Sequence, residues 1–134
     1  MRLNLLLPIF LFLITGCFTT ALSGRREESL KKTASLYYTL IMWKHFKRAN
    51  AFVHEEKRRQ FDRFTSRIKD KLNITSYQIK DIVFEDNKRS KVKVVLSYYK
   101  YPSVSEKTVF LEDIWIFEKG NWFIYSDFED EVFR

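Results

Sequence analysis

The chain has 134 residues, a hydrophobic fraction of 46% and a formal net charge of +7. This length suits one domain with its own core, and apolar residues spread along the whole chain exclude a disordered protein. With 3 Gly and 2 Pro, the chain contains no glycine-rich nucleotide-binding fingerprint. We therefore predict no cofactor.

The N-terminus has the layout of a secretory signal. Arg2 supplies a positive charge, and the apolar run that follows is about half the roughly 20 residues needed to cross a bilayer. The run ends in Ile14-Thr15-Gly16-Cys17, which resembles the lipobox of bacterial lipoproteins. The resemblance implies cleavage between Gly16 and Cys17 and acylation of Cys17. Plain secretion with an incidental cysteine is the alternative.

Cleavage of a signal peptide at residues 1–16 leaves 118 residues, beginning with a lipidated tether at 17–28. The lipid on Cys17 then attaches the protein to a membrane of the bacterial cell envelope. Phe18 is not the aspartate of the best-known inner-membrane retention rule, which favours the periplasmic face of the outer membrane. Because such a protein is exported, we do not expect a nucleic-acid partner.

The charge is divided unevenly along the chain. Residues 24–72 contain 14 basic and 6 acidic side chains, whereas residues 73–134 contain 9 and 11. The basic half therefore lies next to the predicted anchor. It is either a solvated helix face or a surface that rests on anionic headgroups.

Two helices are predicted before residue 73. Ser29 is the expected N-cap of the first, which ends near Lys47. The second begins around Asn50, with acidic residues early and basic residues late, as the helix dipole favours. The apolar stripes expected to face the core are Leu30, Ala34, Tyr37, Leu40 and Ile41 on the first helix, and Phe61, Phe64, Ile68 and Leu72 on the second.

After Leu72 the apolar pattern changes from helical to alternating. Four strand-like segments follow, at 75–85, 92–98, 107–118 and 122–125. Pro102 ends the second of these, and Gly120-Asn121 is the expected turn before the fourth. Short turns imply an antiparallel meander. The predicted fold class is α+β, with N-terminal helices packed on a curved four-stranded antiparallel sheet.

This order of elements, together with the hairpin at 113–124 that contains Trp115 and Trp122, resembles the nuclear-transport-factor-two-like superfamily. That superfamily includes ketosteroid isomerase and has a cone-shaped α+β domain. The resemblance spans residues 29–126 and leaves 127–134 as an acidic tail. A cystatin-like sheet wrapped on one helix is the nearest alternative.

The resemblance implies a pocket between helices and sheet. Asp113 alternates with Leu111 and Trp115, so its carboxyl shares the face that an apolar cavity needs. Tyr99 is a candidate neighbouring hydrogen-bond donor. Asp113, Tyr99 and Trp115 are thus pocket candidates, although a strand carboxylate more often sits at a rim or pairs with surface lysines.

Two further features carry no predicted chemistry. His45 and His54 lie among basic residues and lack metal-binding spacing, so we expect exposed or partly packed imidazoles and no metal site. The acidic tail at 127–134 is expected to fray, with docking on the basic helices of this or another molecule as the alternative.

The sequence favours an envelope lipoprotein whose domain is a non-catalytic module that binds a partner protein or a small apolar ligand. No catalytic residue is assigned. One alternative is a cone-fold enzyme that transfers protons on a small hydrophobic substrate, which requires an enclosed cavity at Asp113. Another is a structural homodimer joined through the exposed sheet face.

Overall fold

A computed structural model of the chain describes the backbone of residues 17–134 and the side chains of residues 24–134. Helices come first and strands follow, and the fold is α+β with the helices packed on one face of an open antiparallel sheet, as predicted. The helices are α1 (Cys17–Met42), α2 (Phe46–Ala49) and α3 (Arg58–Ile68). The strands are β1 (Leu72–Phe84), β2 (Arg89–Lys100), β3 (Lys107–Glu118) and β4 (Asn121–Ile124).

The sheet is a meander with the strand order β1-β2-β3-β4, each pair antiparallel. The pairing of β1 with β2 shifts at Thr75 and again at Lys80. Such bulges bend a strand and increase its twist, so they curve the sheet. The predicted alternation on β2 is confirmed, because Val92, Val94 and Leu96 are buried on the helix-covered face.

The hairpin between β3 and β4 turns at Lys119-Gly120, one residue earlier than predicted. Both turn residues have positive φ, 52° and 79°. A two-residue turn of this kind matches the twist of the flanking strands, and glycine adopts its second position without strain. Asn121, predicted as a turn residue, is therefore the first residue of β4 and pairs with Glu118.

The helix boundaries differ from the prediction at both helices. Helix α1 begins at Cys17, so Ser29 is not its N-cap, and it ends at Met42 rather than near Lys47. No proline interrupts the segment predicted as a tether, 17–28, and it is helical. Helix α3 begins at Arg58 rather than Asn50, because Val53 is extended and buried beside β4.

The core lies between the helices and the inner face of the sheet. The residues of both predicted stripes are buried, and all of them are at most 5% exposed. Leu72, predicted on the second helix, is instead the first residue of β1, because α3 ends at Ile68. Trp115, at the centre of β3, is fully buried and meets the ring of Tyr37 edge to face at 5.6 Å. Aromatic pairs of this geometry add to the area that they bury.

The C-terminal tail is packed rather than frayed. Phe128 stacks on Phe64 at 5.2 Å, and Phe133 meets the same ring at 4.6 Å. The Arg67 guanidinium donates to the carbonyl of Phe128 at 3.1 Å, and Lys57 pairs with Asp127. The tail thus docks on α3 of its own molecule, and the folded unit extends past residue 126.

Phe64→Ala is expected to lower the free energy of unfolding by about 3–5 kcal/mol, because it leaves a cavity between α3 and the tail. Trp43→Ala is the matched control, since this ring is 66% exposed. Its effect should stay within about 0.5 kcal/mol. Urea unfolding followed by far-UV circular dichroism measures both, and equal losses would contradict the described core.

Candidate functional site

The interior site is built around Asp113, at the middle of β3. Its carboxyl points to the helix-covered face, which it shares with Leu111 and Trp115 as predicted, and the residue is only 6% exposed. Asp113 pairs with the apolar Val92 on β2, and the pairing of β3 with β4 does not extend to Asp113, so no paired strand supplies a polar partner at this register. Trp115 packs beside the site, and its Nε1 has no hydrogen-bond partner among the described residues.

The partner of Asp113 is Tyr38 of α1, not Tyr99. The Tyr38 hydroxyl donates to Asp113 Oδ2 at 2.5 Å, and both groups are buried. Tyr99 lies on β2 opposite Asn73 and packs its ring against Tyr101 at 5.6 Å. By strand alternation it belongs to the outer face of the sheet, so the structure does not bring it to Asp113.

Burial controls the ionisation of this pair. It raises the pKa of Asp113 to about 6, although the hydrogen bond from Tyr38 acts in the opposite direction. Burial, and after it the charge of Asp113, raises the pKa of Tyr38 well above its ordinary value. Tyr38 therefore keeps its proton at neutral pH, while Asp113 changes charge in the mildly acidic range.

The space beside Asp113 is too small for an organic substrate. The enclosed cavity measures about 20 Å³, close to the minimum that a single water molecule needs. Five aromatic rings of the chain itself fill the rest: Tyr37, Tyr38, Phe64, Phe128 and Phe133. The cavity that the proton-transfer hypothesis requires at Asp113 is therefore closed to a substrate by side chains of the chain.

The larger hollows among the described residues are open grooves at the surface. One of about 710 Å³ lies beside Lys100, Lys107 and Arg134. Another, of about 610 Å³, lies where the N-terminal part of α1 meets the end of β3, beside Arg26 and His54. Both have charged walls, which suit polar contacts better than the enclosure of an apolar molecule.

His54 is involved in a polar cluster that the sequence did not suggest. Its Nε2 lies 2.6 Å from Glu118 Oε2, and its ring packs on Tyr125 at 5.1 Å. The Tyr125 hydroxyl donates to Glu56 at 2.8 Å. The imidazole is partly packed, as expected, and the cluster joins the segment before α3 to the ends of β3 and β4. Among the side chains described, those of residues 24–134, no group of three His, Cys, Asp or Glu is placed to hold a metal ion.

The predicted lipidation site lies at the N-terminal end of the described chain. Cys17 is the first residue of α1, and Gly16 lies outside the described residues. The first core residue of α1, Leu30, follows 13 residues later, about 20 Å along the helix axis. Cys17 is thus joined to the core by continuous helix. Among the described residues, no helix is both long and apolar enough to span a membrane.

Comparison with protein-family models, with curated proteins and with solved structures finds no match to this chain.

Asp113→Asn is expected to change how stability depends on pH. The native pKa of about 6 exceeds the ordinary 3.8, so the folded state retains the proton that the unfolded state loses between these values. The contribution of Asp113 to the free energy of unfolding is greatest below pH 3.8. It falls by about 3 kcal/mol as the pH rises through 6. Chemical unfolding from pH 3.5 to 8 measures the stability difference between wild type and Asp113→Asn.

The effects of the other carboxyl groups on stability are the same in both proteins and cancel in that difference. Parallel pH profiles of wild type and Asp113→Asn would exclude a raised pKa for Asp113. Tyr38→Phe, compared with the Tyr38→Phe, Asp113→Asn double variant, provides the control. The Tyr38→Phe substitution removes the hydrogen bond that lowers the pKa of Asp113. The fall in stability should therefore extend to higher pH than in the wild type.

Proposed function

We propose that this protein is an envelope lipoprotein, attached to the membrane through lipid on Cys17, whose folded domain is a non-catalytic interaction module for a partner protein. The observation that carries the proposal is Ile14-Thr15-Gly16-Cys17 at the end of a short apolar run. The continuous helix from Cys17 to the core is consistent with it, because a rigid spacer keeps the domain close to the bilayer surface.

The closed interior supports binding at the surface over chemistry inside the domain. The cavity at Asp113 holds about 20 Å³, so a small apolar ligand, the other binding partner predicted from the sequence, finds no space there. The polar cluster at His54 faces an open groove, where water competes for every hydrogen bond. A protein partner that contacts the outer surface needs no such cavity.

We also propose kinship with the nuclear-transport-factor-two-like superfamily and a location on the periplasmic face of the outer membrane. Helices followed by a curved meander support the first, although the closed cavity differs from the pocket that the resemblance implies. Phe18 after the cysteine supports the second. Separation of inner and outer membranes on a density gradient tests the location.

Mass spectrometry of the protein purified from membranes tests the lipid anchor. We expect the mature chain to begin at Cys17, without residues 1–16, and to carry the mass of acyl chains at that residue. Several acyl chains hold a protein on a bilayer far more firmly than one. A mature chain of bare polypeptide mass would contradict the proposal.

Cys17→Ala should abolish both acylation and cleavage at this site. In a detergent phase separation, less of the variant than of the wild type should then enter the detergent phase. Thr19→Ala is the matched control, because it alters the same helical segment and leaves the cysteine. Membrane association unchanged in Cys17→Ala, together with an unchanged mass of the mature chain, would contradict anchoring through this residue.

The homodimer remains a second candidate because the outer face of the sheet is uncovered and partly apolar. Phe110 on β3 is 78% exposed and pairs with Val95 on β2. Opposite charges share this face, with Lys93 4.0 Å from Glu112. Such a face can bury itself against a second copy without a large charge penalty.

Sedimentation in density-matched detergent at several concentrations tests the homodimer. The wild type should dimerise as concentration rises, and Phe110→Ser should shift the equilibrium toward monomer by about tenfold or more, since it removes a large apolar contact. Val104→Ser is the control, because Val104 is 75% exposed outside the strands. A wild type that is monomeric at every concentration would exclude the dimer.

A further inference from the structure

The side of α1 that faces away from the core carries a row of exposed residues. Arg25, Ser29, Lys32, Leu36 and Trp43 follow one another at intervals of four, three, four and seven residues, so they lie on one face of a helix. All five are exposed. Trp43 continues the last turn, since its N–H donates to the carbonyl of Thr39 at 3.1 Å. We call these five residues the outer stripe.

The outer stripe exposes apolar side chains that the fold does not use. Trp43 is 66% exposed and Leu36 is 46% exposed, whereas the other tryptophans, Trp115 and Trp122, are 0% and 2% exposed. Tryptophan combines a large apolar ring with one polar N–H group, so it is favoured where an apolar phase meets water. An exposed tryptophan on an otherwise well-packed helix is therefore available for contact with an apolar phase outside the domain.

The charge of the outer stripe identifies the kind of contact. Arg25 and Lys32 form no ion pair with any described residue. Glu28, which is also exposed, lies between them on the same side of the helix, so the charges there sum to +1. Two more exposed cations, Lys47 and Arg48, follow Trp43 at the next turn of the chain. Apolar groups beside an excess of cations match a surface that presents negative charge over an apolar layer.

The outer face of the sheet has a different character. On this face Asp81 of β1 and Glu112 of β3 lie opposite Lys93 of β2. Lys91 forms an ion pair with Glu85 at 3.3 Å. These charges balance. An anionic surface therefore attracts the outer stripe of α1 and not the sheet, which gives the domain a preferred orientation.

We propose that the outer stripe of α1 lies along an anionic lipid surface, with Trp43 among the headgroups. The stripe spans one side of a helix whose ends, Cys17 and Trp43, are about 40 Å apart. With the lipid on Cys17 holding one end, the cations along the stripe hold the rest of the helix flat. The inference rests on the proposed membrane attachment for its setting, while the stripe's own attraction to anionic lipid is a separate property.

The fluorescence of Trp43 tests this contact, because the other two tryptophans are shielded in the core. The lipoprotein purified from cells is reconstituted in vesicles of phosphatidylcholine alone or with about one third phosphatidylglycerol. We expect acrylamide quenching of Trp43 to fall about fivefold or more with the anionic lipid, and brominated lipids to quench its emission. One basic residue near an anionic surface contributes an equilibrium change of about fivefold.

Matched variants separate charge from packing. Arg25→Gln with Lys32→Gln should remove most of the response to phosphatidylglycerol, whereas Lys91→Gln with Lys93→Gln, the same charge change on the outer sheet face, should retain it. Trp43→Phe should abolish the lipid-dependent signal and leave the core tryptophans unchanged. High salt should reverse the response in the wild type.

Two results would overturn the inference. One is equal acrylamide quenching of Trp43 in both kinds of vesicle, and the other is an equal response to phosphatidylglycerol in the two glutamine pairs. The mass of the same sample reports whether Cys17 is acylated. A protein without lipid, mixed with the same vesicles, still measures the stripe, so failure of the anchor and failure of the stripe give different outcomes.

Discussion

The packing of α1 against the inner face of the sheet is the constraint on which the other features depend. The helix is held to β1 by the Tyr77 hydroxyl, which donates to the carbonyl of Ser35 at 2.9 Å, and to β3 by the bond from Tyr38 to Asp113. Nearer its start, Arg26 lies over the ring of Phe117 at 4.4 Å. These contacts fix both the position and the rotation of the helix. In this rotation of α1, the interior of the domain is closed and the outer stripe is exposed.

The buried carboxyl of Asp113 holds α1 on the sheet at a cost in stability. At neutral pH its charge is removed from water and has one described hydrogen-bond partner, which costs stability that an apolar residue of similar size would not lose. In return, the bond from Tyr38 has a direction, whereas contacts between apolar rings do not. We infer that the pair specifies the register of α1 on β3, a task that the surrounding rings perform poorly.

The sequence predicted most accurately what depends on neighbouring residues. Strand β3 begins and ends as predicted at Lys107 and Glu118, because alternation and flanking turns are local signals. The delayed start of α3 depends on Val53 meeting Ile124, a contact between distant segments. Likewise, alternation placed Asp113 on the inner face, but no local pattern shows that Tyr38 lies opposite it. The packing of Phe128 and Phe133 was missed because it depends on the groove that α3 leaves open.

The two proposed contacts, with lipid and with a protein partner, would use two different surfaces of the domain. If α1 rests on lipid along the outer stripe, as we propose, the opposite layer, the sheet, faces away from the bilayer. That sheet face has balanced charges and an exposed Phe110, so it suits contact with a protein, whether a second copy or a different partner. Because the same packing of α1 sets both surfaces, a change that rotates the helix would alter membrane contact and partner contact together. Under this proposal, the closed core would serve to keep these two surfaces in a fixed relation.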